Sequence, residues 1–257
     1  MADLAACCDL SHSYKDSTML LEEITMPEFV EGLKKTRTVV IPYGSVEEHG
    51  SHLPLSTDTV HIYETARAAS SKRPLFVAPP IHYGLCRSTS GHPGTIAIKA
   101  GTLRRLTIDI VTSLYSQGLR NFILISGHAG GTHLAAITDA GEELLSALPE
   151  AKIAVLSILD LVGKAARGLV ETPGDSHAGE VETSVMLYLR PEWVKGTSPE
   201  EYPAFPNPIL VRNKRKFWPN GVWGNPARAD TEKGKKLLYA VADELVKLAE
   251  RIEQFRE

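Results

Sequence analysis

The chain reads as an α/β fold, a mostly parallel sheet covered by helices. Two patterns predict it. Short β-branched runs alternate with segments whose apolar residues recur at helical spacing, and the runs lack the polar alternation of a half-exposed sheet. TVVIPYG at 38–44 is the first clear strand, followed by a loop and an apolar-periodic helix from about Thr59 to Ala69. LFVAPP at 75–80 is strand-like, and residues 102–117 place Leu103, Leu106, Ile110 and Leu114 on one helical face. NFILIS at 121–126 is another buried strand, joined by the turn GHAGG to a helix from about Thr132 to Ala147. KIAVLSIL at 152–159 is again strand-like, and Val181 to Leu189 reads as a short helix ended near Pro191. Residues 196–230 hold Pro199, Pro203, Pro206, Pro208, Pro219 and Pro226, so an irregular segment folded over the rest is expected. The chain closes in an amphipathic helix from about Thr231, with Leu238, Val241, Leu245, Leu248 and Ile252 on one side.

A length of 257 residues with 43% hydrophobic and 23% charged residues suits one globular domain over 1–257, with about 1–20 expected to be loosely ordered. A formal charge of −3 gives no general attraction to nucleic acid or anionic lipid, so neither is an expected partner. Cys7, Cys8 and Cys86 form neither a disulfide framework nor a C-x-x-C metal pair, which points to a reducing, cytoplasmic setting. The start, MADLAACCDLSHSYKD, lacks a basic n-region, and Asp3 and Asp9 interrupt its apolar run, unlike a signal peptide. No stretch is long and apolar enough to span a bilayer.

Chemistry concentrates in three clusters. GSVEEHGSHLPLSTD at 44–58 packs Glu47, Glu48, His49, His52 and Asp58 into a loop directly after a strand, where open parallel sheets bind ligands. Glu47 and His49 are two apart, so in extended backbone they project to the same side. The blander reading is a polar loop with Asp58 serving a helix N-terminus. SGHAGGTH at 126–133 brings His128 to the same sheet edge, between a strand and a helix. DSHAGEVETS at 175–184 is read as opening a helix, with His177 and Glu180 one turn apart on one face and Glu182 pointing elsewhere. Oxygen and imidazole ligands without cysteine suit zinc, manganese or iron(II) in an open, catalytic site.

Taken in order, EEHGSHLPLSTD, SGHPGTIAI at 90–98, SGHAGG, HAGEVETS and the later GVWGNP and EKG at 221–234 resemble the motifs of the creatininase family. The resemblance implies a three-layer α/β/α domain, a centre of two divalent ions and a homo-oligomer, usually a hexamer. It implies metal ligation by Glu47, His49, Asp58 and His128, with Asp58 bridging and Glu180 as the remaining carboxylate. Creatininase carries that carboxylate at the position that is Gly130 here, and carries Trp and Glu where this chain has Gly174 and Ser176, so creatinine is an unfavourable substrate. His177 is the candidate general acid and base, and Ser126, Gly130 and Asp175 are candidate substrate contacts.

The expected activity is hydrolysis of a carbon–nitrogen bond other than a peptide bond, in a cyclic amide, formamide or similar small molecule. Alternatives within the family are a deformylase of a formylaminopyrimidine ribonucleotide, for which RNKRK at 212–216 would be a phosphate grip, and a mycofactocin-precursor peptidase. An inactive metal-binding member is the alternative outside enzymes. A serine hydrolase using Ser126 or Ser45 lacks the G-x-S-x-G elbow.

Overall fold

The computed structural model describes residues 18–256. Five strands, β1 (Met19–Leu20), β2 (Thr38–Tyr43), β3 (Phe76–Val77), β4 (Asn121–Ser126) and β5 (Lys152–Ser157), form one parallel sheet in the order β1-β3-β2-β4-β5. Among the described residues seven α-helices accompany it: α1 (Met26–Leu33), α2 (Thr57–Lys72), α3 (Ala100–Ser116), α4 (Gly131–Ala147), α5 (Ile158–Ala165), α6 (Glu180–Leu189) and α7 (Thr231–Gln254). Alternate side chains of each strand enter opposite layers. Val40, Ile123 and Ile125 pack with α2, α5, α6 and α7, whereas Val39, Ile41, Phe122 and Leu124 pack with α1, α3 and α4. The sheet is therefore flanked by helices on both faces. The stripe expected on the last helix is buried as predicted.

Several elements depart from the sequence reading, each for a local reason. β3 is shorter than 75–80 because Pro79 and Pro80 lack an N–H for the ladder, although Ala78 and Ile81 still donate to Val40 and Pro42. β5 stops at Ser157, where Ser157 and Asp160 form a capping box and start α5. On α3, Leu106 is exposed and Thr107 takes its place inside, its hydroxyl donating to the Leu103 carbonyl and accepting from Tyr43. β1 and α1 were not anticipated, although Thr25 and Glu28 do form a capping box. Of the segment expected to be loosely ordered, residues 1–17 lie outside the described residues, and Met19–Leu20 are strand. Residues 196–230 are irregular apart from two short 3-10 turns, and they bury Trp218 and Val222.

The register matters most for the site. β2 and β4 are central neighbours paired from Thr38 with Asn121 to Tyr43 with Ser126. Their following loops, which carry Glu47 and His128, thus leave the sheet side by side.

Candidate metal centre

Gly44 turns the chain out of β2 in contact with α2: a Cβ there would lie 1.9 Å from Thr59 Oγ1, so only glycine fits. The loop then buries Glu47, Glu48, His49 and His52, and α2 adds buried Asp58 in its first turn. His49 donates Nδ1–H to the Glu47 carbonyl at 3.1 Å, which leaves Nε2 facing Asp58 Oδ1 at 3.1 Å and Glu182 Oε2 at 3.6 Å. His128 is oriented likewise: its Nε2 reaches the Leu85 carbonyl at 3.3 Å, and Nδ1 faces Glu47 Oε1 and, at 3.5 Å, Asp58 Oδ2. Asp58 stands between the two rings with one oxygen toward each. Ser45 donates to its Oδ2 at 2.6 Å, and Thr89 donates to Glu47 Oε2. Such outer hydrogen bonds fix the tautomer and aim of metal-binding side chains.

Three sets of ligand atoms, from Glu47, His49 and His177, from Glu47, Cys86 and His128, and from His49, Asp58 and Glu182, each lie within 4.8 Å of one another. Their electrostatics are unbalanced. Burial opposes a charged His49 and a charged His128, but the carboxylates of Asp58 and Glu182 beside the first carry its pKa well above normal. Glu47 and Asp58 beside the second raise it to about 10. Burial also pushes the Glu182 carboxyl up, against the pull of His49. A buried field that holds protons this firmly also suits divalent cations, and Glu47 Oε1 has the His128 ring as its close neighbour. The donor set fits a metal centre.

Three expected residues sit elsewhere. Glu180 does not face the cluster. Its carboxylate pairs with Lys233 and accepts N–H bonds from Glu171 at 3.0 Å and Thr172 at 2.7 Å. The reason is that α6 begins at Glu180, after Ala178 at φ +49, so His177 precedes the helix and the one-turn spacing does not apply. Glu182 takes the position instead, accepting the Ala178 N–H at 2.6 Å. Asp175 caps α6 through the N–H groups of Glu180 and Val181, and Ser126 is buried beneath the loop, donating to the His128 carbonyl at 2.7 Å. Neither lines the cleft. Gly130 does, and a Cβ there would meet His128 Nε2 at 2.4 Å, so with His128 in this orientation position 130 excludes a side chain.

His177 stacks on His49 with ring centroids 4.2 Å apart, and its Nε2 lies 2.9 Å from the Glu48 carbonyl and 3.5 Å from Glu48 Oε1. Glu48 is buried rather than solvated. His52 ties the loop to Thr183 and Ser198, both at 2.9 Å, a structural link. The remaining family-like motifs act as supports: His92 holds the Trp218 carbonyl at 2.7 Å, Trp223 pairs with His177 through both backbone directions, and Lys233 of EKG holds Glu180. Together they enclose a cleft of about 90 Å³ lined by Glu47, Asp58, His128, His177, Glu182 and Trp223. Larger grooves of about 670 and 760 Å³ lie elsewhere and contain none of these groups. Arg212, Arg215 and Lys216 are exposed and do not line the cleft. Sequence reasoning missed Glu182, Trp218 and Cys86, because none stands at a spacing that marks it.

The comparisons with known proteins agree with this geometry. The chain is 31% identical to a mycofactocin precursor peptide peptidase of Mycobacterium ulcerans, covering 81% of this chain and 83% of the relative. It is 28% identical to a 3-dehydro-scyllo-inosose hydrolase of Thermotoga maritima, covering 90% and 82%. A solved creatinine amidohydrolase matches its fold with a TM-score of 0.82 at 22% identity, over 93% of this chain and 99% of that one. The family model described as creatinine amidohydrolase matches residues 22–249, most of the chain and every cluster above, and the chain therefore belongs to the creatininase family.

Proposed function

We propose that the protein is a metal-dependent hydrolase that opens a carbon–nitrogen bond of a small amide-type substrate. The observation that carries this reading is the buried set Glu47, His49, Asp58, His128 and Glu182 at one end of the parallel sheet, all but His49 lining a common cleft. Asp58 would be shared between two divalent ions, Glu47 and His128 would hold one, and His49 and Glu182 the other. Zinc and manganese are supported by creatininase structures of the same fold described with those metals, and by nitrogen and oxygen donors. Such ions supply Lewis acidity, activating water and polarising a carbonyl.

The protein's own groups do the rest. His177 has its ring at the cleft, and burial and the charge of His49 are outweighed by Glu48, so its pKa is raised and it can deliver a proton to a leaving nitrogen. Trp218 and Trp223 wall the opening and exclude water from one side. Free, buried Cys86 supports a reducing, cytoplasmic setting. No helix among the described residues is long and apolar enough to cross a membrane. Exposed Met26, Ile96, Ile209 and Leu210 support association into a homo-oligomer.

A second reading, peptide-bond hydrolysis, is favoured by the likeness to the mycofactocin precursor peptidase. The test is a turnover screen of the metal-reconstituted protein on cyclic amides, formamides and short peptides, with creatinine included. Turnover confined to peptides would replace the first reading by the second. No metal-dependent turnover of any of them, in protein that holds metal, would favour a non-catalytic family member. Creatinine itself is expected to be poor, because Ser176 lines the cleft and Gly174 offers no aromatic side chain.

A further inference from the structure

Cys86 is the one free thiol among the described residues, and nothing above gives it a task. It is buried, and its sulfur is one corner of the set with Glu47 and His128 whose ligand atoms lie within 4.8 Å of one another. Zinc binds sulfur at about 2.3 Å and nitrogen or oxygen at about 2.0–2.2 Å, so small side-chain rotations bring all three onto one ion. Its neighbour in sequence fixes that position from both sides. The Leu85 N–H donates to His133 Nδ1 at 3.1 Å, and the Leu85 carbonyl holds His128 Nε2. Glu47 Oε1, fully buried, has the His128 ring beside it on the same side of the cluster. A buried carboxylate, an imidazole and a thiol thus converge on one point of the cluster.

We propose that Cys86 is a thiolate ligand of the ion that Glu47, Asp58 and His128 hold. This rests on the reading of the cluster as a two-metal centre and sharpens it. With sulfur added, that ion would have four protein ligands, whereas the ion of His49, Asp58 and Glu182 would have three. Sulfur also biases its half toward zinc over manganese. On ligation the S–H bond breaks, the proton leaves to solvent and a sulfur–metal bond replaces the thiol's hydrogen bonds to Glu47 and Ser45. Burial and the negative charges of Glu47 and Asp58 push the thiol pKa up, and a divalent cation bound between those carboxylates reverses that effect.

The experiment uses the full chain stripped of metal and reloaded with cobalt(II). Visible d–d bands report cobalt in the centre, and a near-ultraviolet sulfur-to-cobalt charge-transfer band reports thiolate ligation. Both are expected in the unaltered protein. Cys86→Ser should keep the visible bands, lose the charge-transfer band and weaken zinc binding. The band should survive Cys7→Ser and Cys8→Ser. Visible bands without charge transfer, or a charge-transfer band that persists in Cys86→Ser, would overturn the cysteine assignment and leave the centre standing. Failure of cobalt to bind at all would overturn the centre and this inference with it. The unaltered protein's spectrum decides even where a variant folds poorly.

Discussion

Residues 45–58 and residues 175–182 both deliver acidic side chains to one end of the sheet, by different means. In the first segment the chain runs extended out of β2, so Glu47 and His49 share a side and Asp58 follows at the start of α2. In the second, three carboxylates stand within eight residues, and only one of them meets the cluster. Asp175 caps α6, Glu180 anchors it to Lys233 on α7, and Glu182 alone faces His49. An extended loop states its geometry through a period of two. A helix start states nothing until its first residue is known, and adjacent acidic positions there can serve a cap, a tertiary ion pair or a metal.

The sharpest test of that contrast is Asp58→Asn, which should abolish metal binding at both positions and activity with it. Elemental analysis and turnover check this, and retention of one ion per chain would break the shared role. Next, His177→Ala should lower kcat by about 10²–10⁴-fold while metal content stays unchanged. Loss of metal in step with activity would make His177 a ligand.

Glu180→Gln and Glu182→Gln form the paired experiment within the second region. The first removes the nearest of Lys233's carboxylate partners, with Glu171 remaining at 3.3 Å, and should cost about 1–3 kcal/mol in denaturant unfolding, with metal stoichiometry intact. The second should reduce metal content with a smaller stability change. Interchanged results would return Glu180 to the centre. A smaller effect concerns acid. Burial opposes the Glu180 charge, but Lys233 and the Thr172 and Glu171 N–H groups outweigh it and lower its pKa below 4.5. Its contribution to stability is therefore complete above pH about 4.5 and is lost as pH falls through the lowered value. Stability measured from pH 6 down to pH 3 should fall less steeply in Glu180→Gln. An unchanged slope would remove Glu180 from the acid response.

The sequence determined the alternation of strands and helices, because buried parallel strands and amphipathic helices carry their own periodicities. It also placed His128 and the loop ligands at one end of the sheet, because they follow directly on strands 38–43 and 121–126. It did not reveal β1, α1 or α5, which are too short for a period to develop. Tertiary structure decided what spacing leaves open. Register set β2 beside β4, so that Glu47 and His128 meet across 81 residues. The close approach of α7 to α6, where a Cβ on Gly234 would lie 1.9 Å from the Ser184 carbonyl, drew Glu180 to Lys233 and left Glu182 to the cleft. Cys86 gained its place in the same way, since an isolated thiol acquires chemical meaning only from the carboxylate and imidazole that folding sets beside it.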